Sequence, residues 1–157
     1  MADTKQGDRL ISKNRRAHFD FDLGERYEAG MVLEGSEVRS LRDNPADLSG
    51  AWVQIDRNGE AWVEGMRIPK LQHAAFGHEE LRRRKLLLRR SQLESLRSRA
   101  EREQMTIVVT KCYLVRGRVK LEIALGRGKK KHDKRATIQR RDAEREARQS
   151  IKRGRDG

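Results

Sequence analysis

The sequence predicts a mostly β domain with antiparallel strands, a few short helices and a basic C-terminal tail. Two segments alternate apolar and polar residues on either side of a glycine turn, which is the pattern of β-hairpins. The final segment, in contrast, has few apolar residues and carries much of the positive charge. With 157 residues, the chain fits one domain of ordinary size and leaves little room for a second hydrophobic core.

The clearer hairpin pattern covers residues 51–65. Apolar and polar residues alternate on both sides of Asn58-Gly59, a dipeptide that favours the positive φ of a hairpin turn. Trp52 and Trp62 fall on the same parity, so they can face each other across the strand pair. Such a pair usually serves packing, and the alternative is a surface on which RNA bases stack.

The second hairpin pattern covers residues 106–125 and turns near Arg116-Gly117. Cys112 lies inside its first strand, where we expect a buried structural cysteine. On the second strand apolar residues take every other position, as in a strand that is buried on one face. The buried face is predicted to carry Val119, Leu121, Ile123 and Leu125, and the other face Arg118, Lys120, Glu122 and Ala124.

Two short helices are predicted outside the hairpins. Ser36 is a suitable N-terminal cap for the first, which ends at the Asn-Pro dipeptide at 44–45 because proline cannot continue a helix. Ser91 and Glu94 have the spacing of a capping box, in which each side chain satisfies a backbone amide at the helix end. The second helix is therefore predicted from Ser91 to about Glu103.

Shorter apolar runs complete the predicted domain. Residues 19–33 alternate with charge and glycine, which predicts strands, and residues 83–88 are predicted to be extended or a short turn of helix. Several short strands with two or three short helices close most naturally as a small antiparallel β-barrel of the oligonucleotide-binding type. This barrel is predicted over residues 14–128, after a flexible N-terminal arm at residues 1–13.

Residues 129–157 form a basic tail of different character. They contain twelve Lys or Arg residues and five acids, which places +7 of the formal +13 charge in less than a fifth of the chain. The tail has too few apolar residues to support a core, so we expect it to be disordered when free. Its i, i+4 pattern and its lack of proline predict that it becomes helical on an anionic surface.

The charge of the whole chain favours a polyanionic partner, RNA or DNA. Lys and Arg outnumber Asp and Glu by 37 to 24, and the sequence pI is near 10.5. The basic residues concentrate at residues 13–16, at residues 82–90 and from residue 129 onward. One such block is typical of a solvated face, whereas three blocks on a small β domain favour contacts with phosphates.

Nothing in the sequence predicts catalysis, a metal site or a cofactor. The four histidines lack the i, i+4 spacing of a zinc-binding helix, and Gly-Arg-Gly-Lys at residues 126–129 lacks the spacing of a phosphate-binding P-loop. A single cysteine and the lack of a long apolar segment predict a cytoplasmic protein that neither spans a membrane nor contains a disulfide. Two alternatives stay open at this point, an RNA-processing enzyme and a structural protein of the ribosome.

Five motifs, in matching order and spacing, resemble the family of SsrA-binding proteins, also called small protein B. The resemblance runs from about Asn14 to Arg148. The motifs are NRRA at 14–17, EAGMVLEGSEVRSLR at 28–42, NGEAWVEGM at 58–66, RRKLLL at 83–88 and GRVKLEIALGRGKKKHDKR at 117–135. Together they are specific for the family, which each basic block alone is not.

The resemblance implies a noncatalytic adaptor on an oligonucleotide-binding-type barrel. Such proteins bind the tRNA-like domain of transfer-messenger RNA (tmRNA, or SsrA RNA), support its charging with alanine and bring it, with elongation factor Tu, to stalled ribosomes. The tail enters the empty message channel near the decoding region and is helical on the ribosome. For this chain the resemblance therefore implies three partners, tmRNA, the ribosome and elongation factor Tu, and we expect a monomer.

The resemblance also assigns site residues. On the barrel, the RNA-facing positions are Asn14, Glu28 and Leu87, with Arg15, Arg16, Arg84 and Lys85 as phosphate partners. In the tail, the segment that engages ribosomal RNA is matched by Lys129, Lys130, His132, Asp133, Lys134 and Arg135. We expect Glu28 to accept hydrogen bonds from base edges or to orient an arginine, and Leu87 to pack against an unstacked base or to support that surface.

Overall fold

The computed structural model describes residues 8–71, 77–129 and 131–155. Within these ranges the chain forms seven strands and four helices. In chain order they are β1 (Arg9–Lys13), α1 (Arg15–Asp20), β2 (Phe21–Met31), α2 (Gly35–Asp43), β3 (Trp52–Ile55), β4 (Ala61–Glu64), β5 (Arg84–Leu87), α3 (Arg90–Arg102), β6 (Thr106–Val115), β7 (Arg118–Gly128) and α4 (Lys131–Arg155).

Six of the strands close into an antiparallel barrel. Neighbouring strands follow the order β6-β3-β4-β5-β2-β7, and β7 pairs back with β6 to complete the ring. The edge of β6 that pairs with β3 near Ile107 pairs with β1 further along, from Lys111 to Leu114. The fold class predicted from the sequence, a mostly β barrel with flanking helices, is confirmed.

Alternate residues of the strands point into the barrel and form one hydrophobic core. On β7, the four aliphatic residues predicted to be buried at positions 119–125 are all buried. Helices α2 and α3 contribute Leu41 and Leu96, which are almost completely buried. Each fully buried aliphatic side chain stabilises the folded state by roughly 1.5–3 kcal/mol relative to an exposed one. The core therefore joins the barrel to two of its helices.

Cys112 belongs to this core. It lies on β6 opposite Leu121 of β7, and its side chain is fully buried. Burial raises the pKa of the Cys112 thiol to about 12, because an apolar environment disfavours the thiolate. The structural role predicted for this cysteine is confirmed.

Both predicted hairpins are present, with turns at the predicted dipeptides. Gly59 has a φ of +80° between β3 and β4, and Arg116 and Gly117 have φ angles of +50° and +77° between β6 and β7. Two successive positive φ angles match the right-handed twist of the flanking strands, which is why this turn closes a long hairpin. Ala124 departs from the predicted alternation, since it was assigned to the outward side of β7 but is fully buried, as are its neighbours Ile123 and Leu125.

The two tryptophans share the outward face of the first hairpin but do not face each other directly. Trp52 lies opposite Glu64, and Trp62 lies opposite Gln54. They are therefore diagonal neighbours, and the direct pairing that their parity allowed is wrong.

The flexible arm predicted at residues 1–13 is wrong for its second half. Arg9–Lys13 form β1, which pairs with β6 beside the barrel, so the ordered sheet begins at Arg9 rather than at residue 14. An edge strand leaves most of its side chains exposed, so its sequence needs no regular apolar alternation and was not recognisable. Residues 1–7 lie outside the described residues.

Both predicted helices begin earlier than expected. In α2 the backbone amide of Glu34 donates to the Glu37 carboxylate at 2.9 Å, and in α3 the amide of Arg89 donates to the Gln92 side chain at 3.1 Å. A glutamate or glutamine in the first turn satisfies an amide that would otherwise lack a partner. The serines predicted as caps consequently lie inside the first turns.

Candidate nucleic-acid interface

Outward side chains of five neighbouring strands form one continuous surface, which we call the outer face. Its strands follow the order β6-β7-β2-β5-β4. Its members are Lys111 and Tyr113 on β6, Lys120 and Glu122 on β7, Arg26, Glu28 and Gly30 on β2, Lys85 and Leu87 on β5, and Trp62 on β4. Cations, carboxylates, one aliphatic and two aromatic side chains are therefore close together on a surface that faces solvent.

Glu28 lies near the middle of the outer face, with 46 % of its side chain exposed. The Tyr113 hydroxyl donates to Glu28 Oε2 at 2.6 Å, and Lys120 Nζ lies 3.7 Å from Oε1. Partial burial, and next the hydrogen bond to the carboxylate, raise the pKa of Tyr113, so its hydroxyl keeps its proton. Glu28 is thus an oriented carboxylate that can still accept hydrogen bonds from base edges.

Leu87 is also on the outer face, as the resemblance predicted, and 55 % of its surface is exposed. It lies opposite Gly30, where an added Cβ would come within 3.3 Å of the Leu87 Cβ. The glycine therefore leaves one side of Leu87 uncovered. Val32, 48 % exposed, directly follows the end of β2 and donates its amide to the Lys85 carbonyl at 2.9 Å. These residues give the outer face an apolar spot on which a base can pack.

Lys85 borders this apolar spot and forms an ion pair with Glu60 at 3.1 Å. Both side chains are partly exposed, so the pair is screened by solvent and contributes little to stability. A phosphate can replace Glu60 as the partner of Lys85 at small cost. The geometry is compatible with the predicted role of Lys85.

Arg84, predicted as a phosphate partner, has a different role, because it is fully buried. Its guanidinium donates to the Glu37 carboxylate, to the Met66 carbonyl at 2.8 Å and to the carbonyls of Glu79 and Glu80. A guanidinium with these partners cannot reach an RNA phosphate. Arg84 instead ties β5 to α2 and to the segment before β5.

Asn14 is likewise buried and structural. Its side-chain amide donates to the carbonyls of Leu48 and Val109, both at 2.8 Å, and its Oδ1 accepts from the Ala17 amide at 3.1 Å. Both donors and one acceptor position are therefore occupied, and Asn14 caps α1 instead of pointing at a ligand. Asn14 therefore holds in place the helix that carries the first basic block.

That block, Arg15 and Arg16, starts α1, and both side chains are exposed. Arg16 pairs with Asp20 one turn later at 3.1 Å, and 73 % of its side chain is exposed. Exposed i, i+4 pairs of this kind are weak, so both arginines can contact phosphates as predicted.

The start of the tail lies against α1. The Lys129 side chain donates to the His18 carbonyl at 3.1 Å, and Lys134 Nζ lies 3.3 Å from Asp20. Lys134 and Arg141 also lie over the Phe19 ring, 5.8 Å and 5.6 Å from its centre. These contacts determine where α4 leaves the barrel.

The remaining tail residues are only partly described. Arg135 is exposed, whereas for His132 and Asp133 only the helical backbone is described, and Lys130 lies outside the described residues. The structure thus shows a helix over most of the predicted basic tail. That the tail is disordered when free, and that these residues contact ribosomal RNA, stay predictions.

Sequence reasoning missed Tyr113, Lys120 and the pair Arg83–Trp62. The alternation of β7 already placed Lys120 on the outward side. The sequence did not predict that β2, which carries Glu28, pairs with β7 on its other edge. Tyr113 follows a one-residue irregularity between Val109 and Lys111 that shifts the register. Without that bulge, simple alternation assigns the wrong face.

The described residues contain neither a metal-binding cluster nor a membrane-spanning helix. Among them, no group of three or more His, Cys, Asp or Glu side chains is arranged to hold a metal ion. No helix in the described ranges is both long and apolar enough to cross a membrane.

Comparisons with known proteins agree on one family. The family described as "SmpB protein" matches residues 11–153. An SsrA-binding protein of Sorangium cellulosum is 48% identical over 153 residues, which is 98% of this chain and 94% of the relative. An SsrA-binding protein of Nocardioides is 43% identical, over 94% of this chain and 92% of the relative.

A solved structure is also similar. A chain of the structure described as "tmRNA-SmpB: a journey to the center of the bacterial ribosome" matches with a TM-score of 0.66 and 35% sequence identity. The match covers 78% of this chain and 86% of that chain.

Proposed function

The chain belongs to the SmpB protein family, and from this premise we propose that it is a noncatalytic RNA-binding adaptor of ribosome rescue. It binds the tRNA-like domain of tmRNA, supports the alanylation of that RNA and delivers it to stalled ribosomes for trans-translation and peptide tagging. Its partners are therefore tmRNA and the ribosome.

The observation that carries this proposal is the oriented Glu28 carboxylate beside the exposed Leu87 on the outer face. In a protein of formal charge +13, an exposed acid weakens general attraction to RNA. Its orientation by Tyr113 is useful if the carboxylate accepts hydrogen bonds from base edges. Charge then supplies affinity, while Glu28 and Leu87 supply recognition.

The finer parts of the proposal concern the other partners. The tail engages ribosomal RNA in the message channel and decoding region through residues 129–135, and elongation factor Tu accompanies the alanylated tmRNA. We expect the protein to act as a monomer in the cytoplasm, where the ribosomes are. The exposed helix α4 supports the proposed binding of the tail to ribosomal RNA. It contains acidic residues but has a large excess of Lys and Arg, so it can follow a path lined by phosphates.

Specific recognition is tested by a gel-shift titration at two salt concentrations. The RNAs are the tRNA-like domain of tmRNA, an ordinary tRNA and an unrelated hairpin. We expect the tmRNA domain to bind most tightly, and its advantage to persist at higher salt, because shape and base contacts are less salt-dependent than phosphate contacts. Equal binding to all three that disappears at higher salt would contradict the proposal, as would cleavage of the RNA.

Replacing Glu28 by alanine is expected to weaken binding of the tmRNA domain by about tenfold, a typical cost of losing a hydrogen bond to a charged group. Loss of an acid by itself should strengthen binding to a polyanion, so the expected effect is opposite to that of charge. Glu101→Ala is the control, since it removes the same charge from an exposed position on α3. Equal affinities of the two variants in the gel shift would assign Glu28 to a surface ion pair.

A further inference from the structure

Trp62 and Arg83 form a stacked pair at the β4 edge of the outer face. The guanidinium carbon of Arg83 lies 4.0 Å from the centre of the Trp62 ring. Trp62 is on β4 opposite Lys85, and Arg83 directly precedes β5. Residues 83 and 85 both point outward because Arg84 between them points inward.

The Trp62 ring is held in place from its edge. Its indole Nε1 donates to Asp56 at 3.0 Å, and Asp56 also accepts the amides of Asn58 and Glu60 from the hairpin turn. The hydrogen bond from the Glu60 amide, and next that from Trp62, lower the pKa of Asp56, so the carboxylate is ionised at neutral pH. The tryptophan is therefore a rigid support for the arginine above it.

Arg83 itself is exposed, and one side of it rests on Trp62. A guanidinium is flat and weakly hydrated, and it can stack on a ring on one side and on a nucleobase on the other. The pair also adjoins Lys85, which borders the apolar spot at Leu87. An RNA that covers Glu28 and Leu87 reaches Arg83 by continuing along β5 past Lys85.

We propose that an unpaired base of tmRNA stacks on the Arg83 guanidinium, with Trp62 as the rigid layer beneath it. This extends the RNA-binding surface from β5 to β4 and rests on the function proposed above. RNA is favoured over a protein partner because the neighbouring segment, residues 82–90, is strongly basic and attracts phosphates, while the flat guanidinium offers a stacking surface for a base.

The first test is Arg83→Lys, which keeps the charge but removes the flat group. Its matched control is Arg57→Lys, at an exposed arginine in the turn of the same hairpin. We expect Arg83→Lys to bind the tmRNA domain about tenfold more weakly, the size of one lost base stack, and Arg57→Lys to bind as the parent does. Parental affinity of Arg83→Lys would overturn the proposal, because charge alone would then suffice.

The second test is the tryptophan fluorescence of the full-length protein during titration with the tmRNA domain. Stacking of a base over the pair should change the emission of Trp62. We expect this change in the parent and in Trp52→Phe, and its loss in Trp62→Phe. Emission that stays constant at saturating RNA, or a change that persists in Trp62→Phe, would overturn the stacking. Failure of the adaptor role would appear differently, as loss of the parent's preference for tmRNA over tRNA.

Discussion

Truncation after Gly128 should abolish peptide tagging on stalled ribosomes while preserving most of the binding to the tmRNA domain. The barrel is complete at that point, because β7 ends at Gly128 after pairing with both β2 and β6. The residues removed carry +7 of the formal +13 charge, so some general RNA affinity is lost as well. A tagging assay and a gel shift on the same protein separate the two effects.

A finer variant of the same experiment keeps the tail at full length. Lys134 and Arg135 are both replaced by glutamate in one variant. The control variant replaces Arg145 and Arg148 by glutamate, which changes the net charge by the same amount. We expect the first pair to reduce tagging more strongly, because Lys134 lies against α1 at the point where the tail leaves the barrel. Full tagging by the truncated protein would show that the tail is dispensable.

Replacing Glu37 by glutamine should lower the free energy of unfolding by about 3–5 kcal/mol, the usual cost of breaking a buried ion pair. Glu37 and Arg84 are both fully buried, and Arg82 is a second cation on the same carboxylate. The substitution leaves the Arg84 charge in the interior without its anionic partner. Urea denaturation of the parent and the variant measures the loss.

The matched control is Glu60→Gln, which removes the partner of Lys85. That pair is partly exposed, so we expect a loss of at most about 1 kcal/mol. A double variant, Glu37→Gln with Arg84→Met, should recover part of the stability, since it leaves no unpaired charge in the core. Similar losses of stability from Glu37→Gln and Glu60→Gln would contradict a stabilising role for the buried ion-pair network.

The same network makes stability depend on pH. Burial alone would raise the pKa of Glu37, but hydrogen bonds from the Glu34 amide and from the two arginines outweigh burial and hold it below its usual value of 4.5. The unfolded chain therefore takes up a proton at higher pH than the folded one. This part of the stability is present above about pH 4.5 and is lost as the pH falls through the folded pKa. Glu37→Gln should flatten that dependence.

The barrel was predictable from the sequence because its hairpins have regular alternation and strong turn dipeptides. The alternation from Val119 to Leu125 and the turn at Asn58-Gly59 illustrate this. Both are recognisable from residues that are neighbours in the sequence. Neither β1 nor α1 was predicted. The first is an edge strand held by pairing with β6, and the second is a six-residue helix that depends on the buried Asn14 cap.

Individual site residues were less predictable than the fold. Glu28 and Leu87 are exposed on one surface as expected, whereas Arg84 in the same basic motif is completely buried. Its partner Glu37 is 47 positions away in the chain, and no local pattern distinguishes a buried arginine from a phosphate ligand. The same limit applies to Tyr113, which reaches Glu28 across 85 positions.

The burial of Cys112 has a practical consequence for following the tail. Thiol reagents react with the thiolate form of cysteine. A pKa of about 12 makes this form rare for Cys112, and complete burial makes it inaccessible. A cysteine introduced at the exposed Ile138 on α4 would therefore be the one reactive thiol of the protein. A single dye could be attached there without removing the native cysteine, and the path of the helix on and off the ribosome could be tracked by energy transfer.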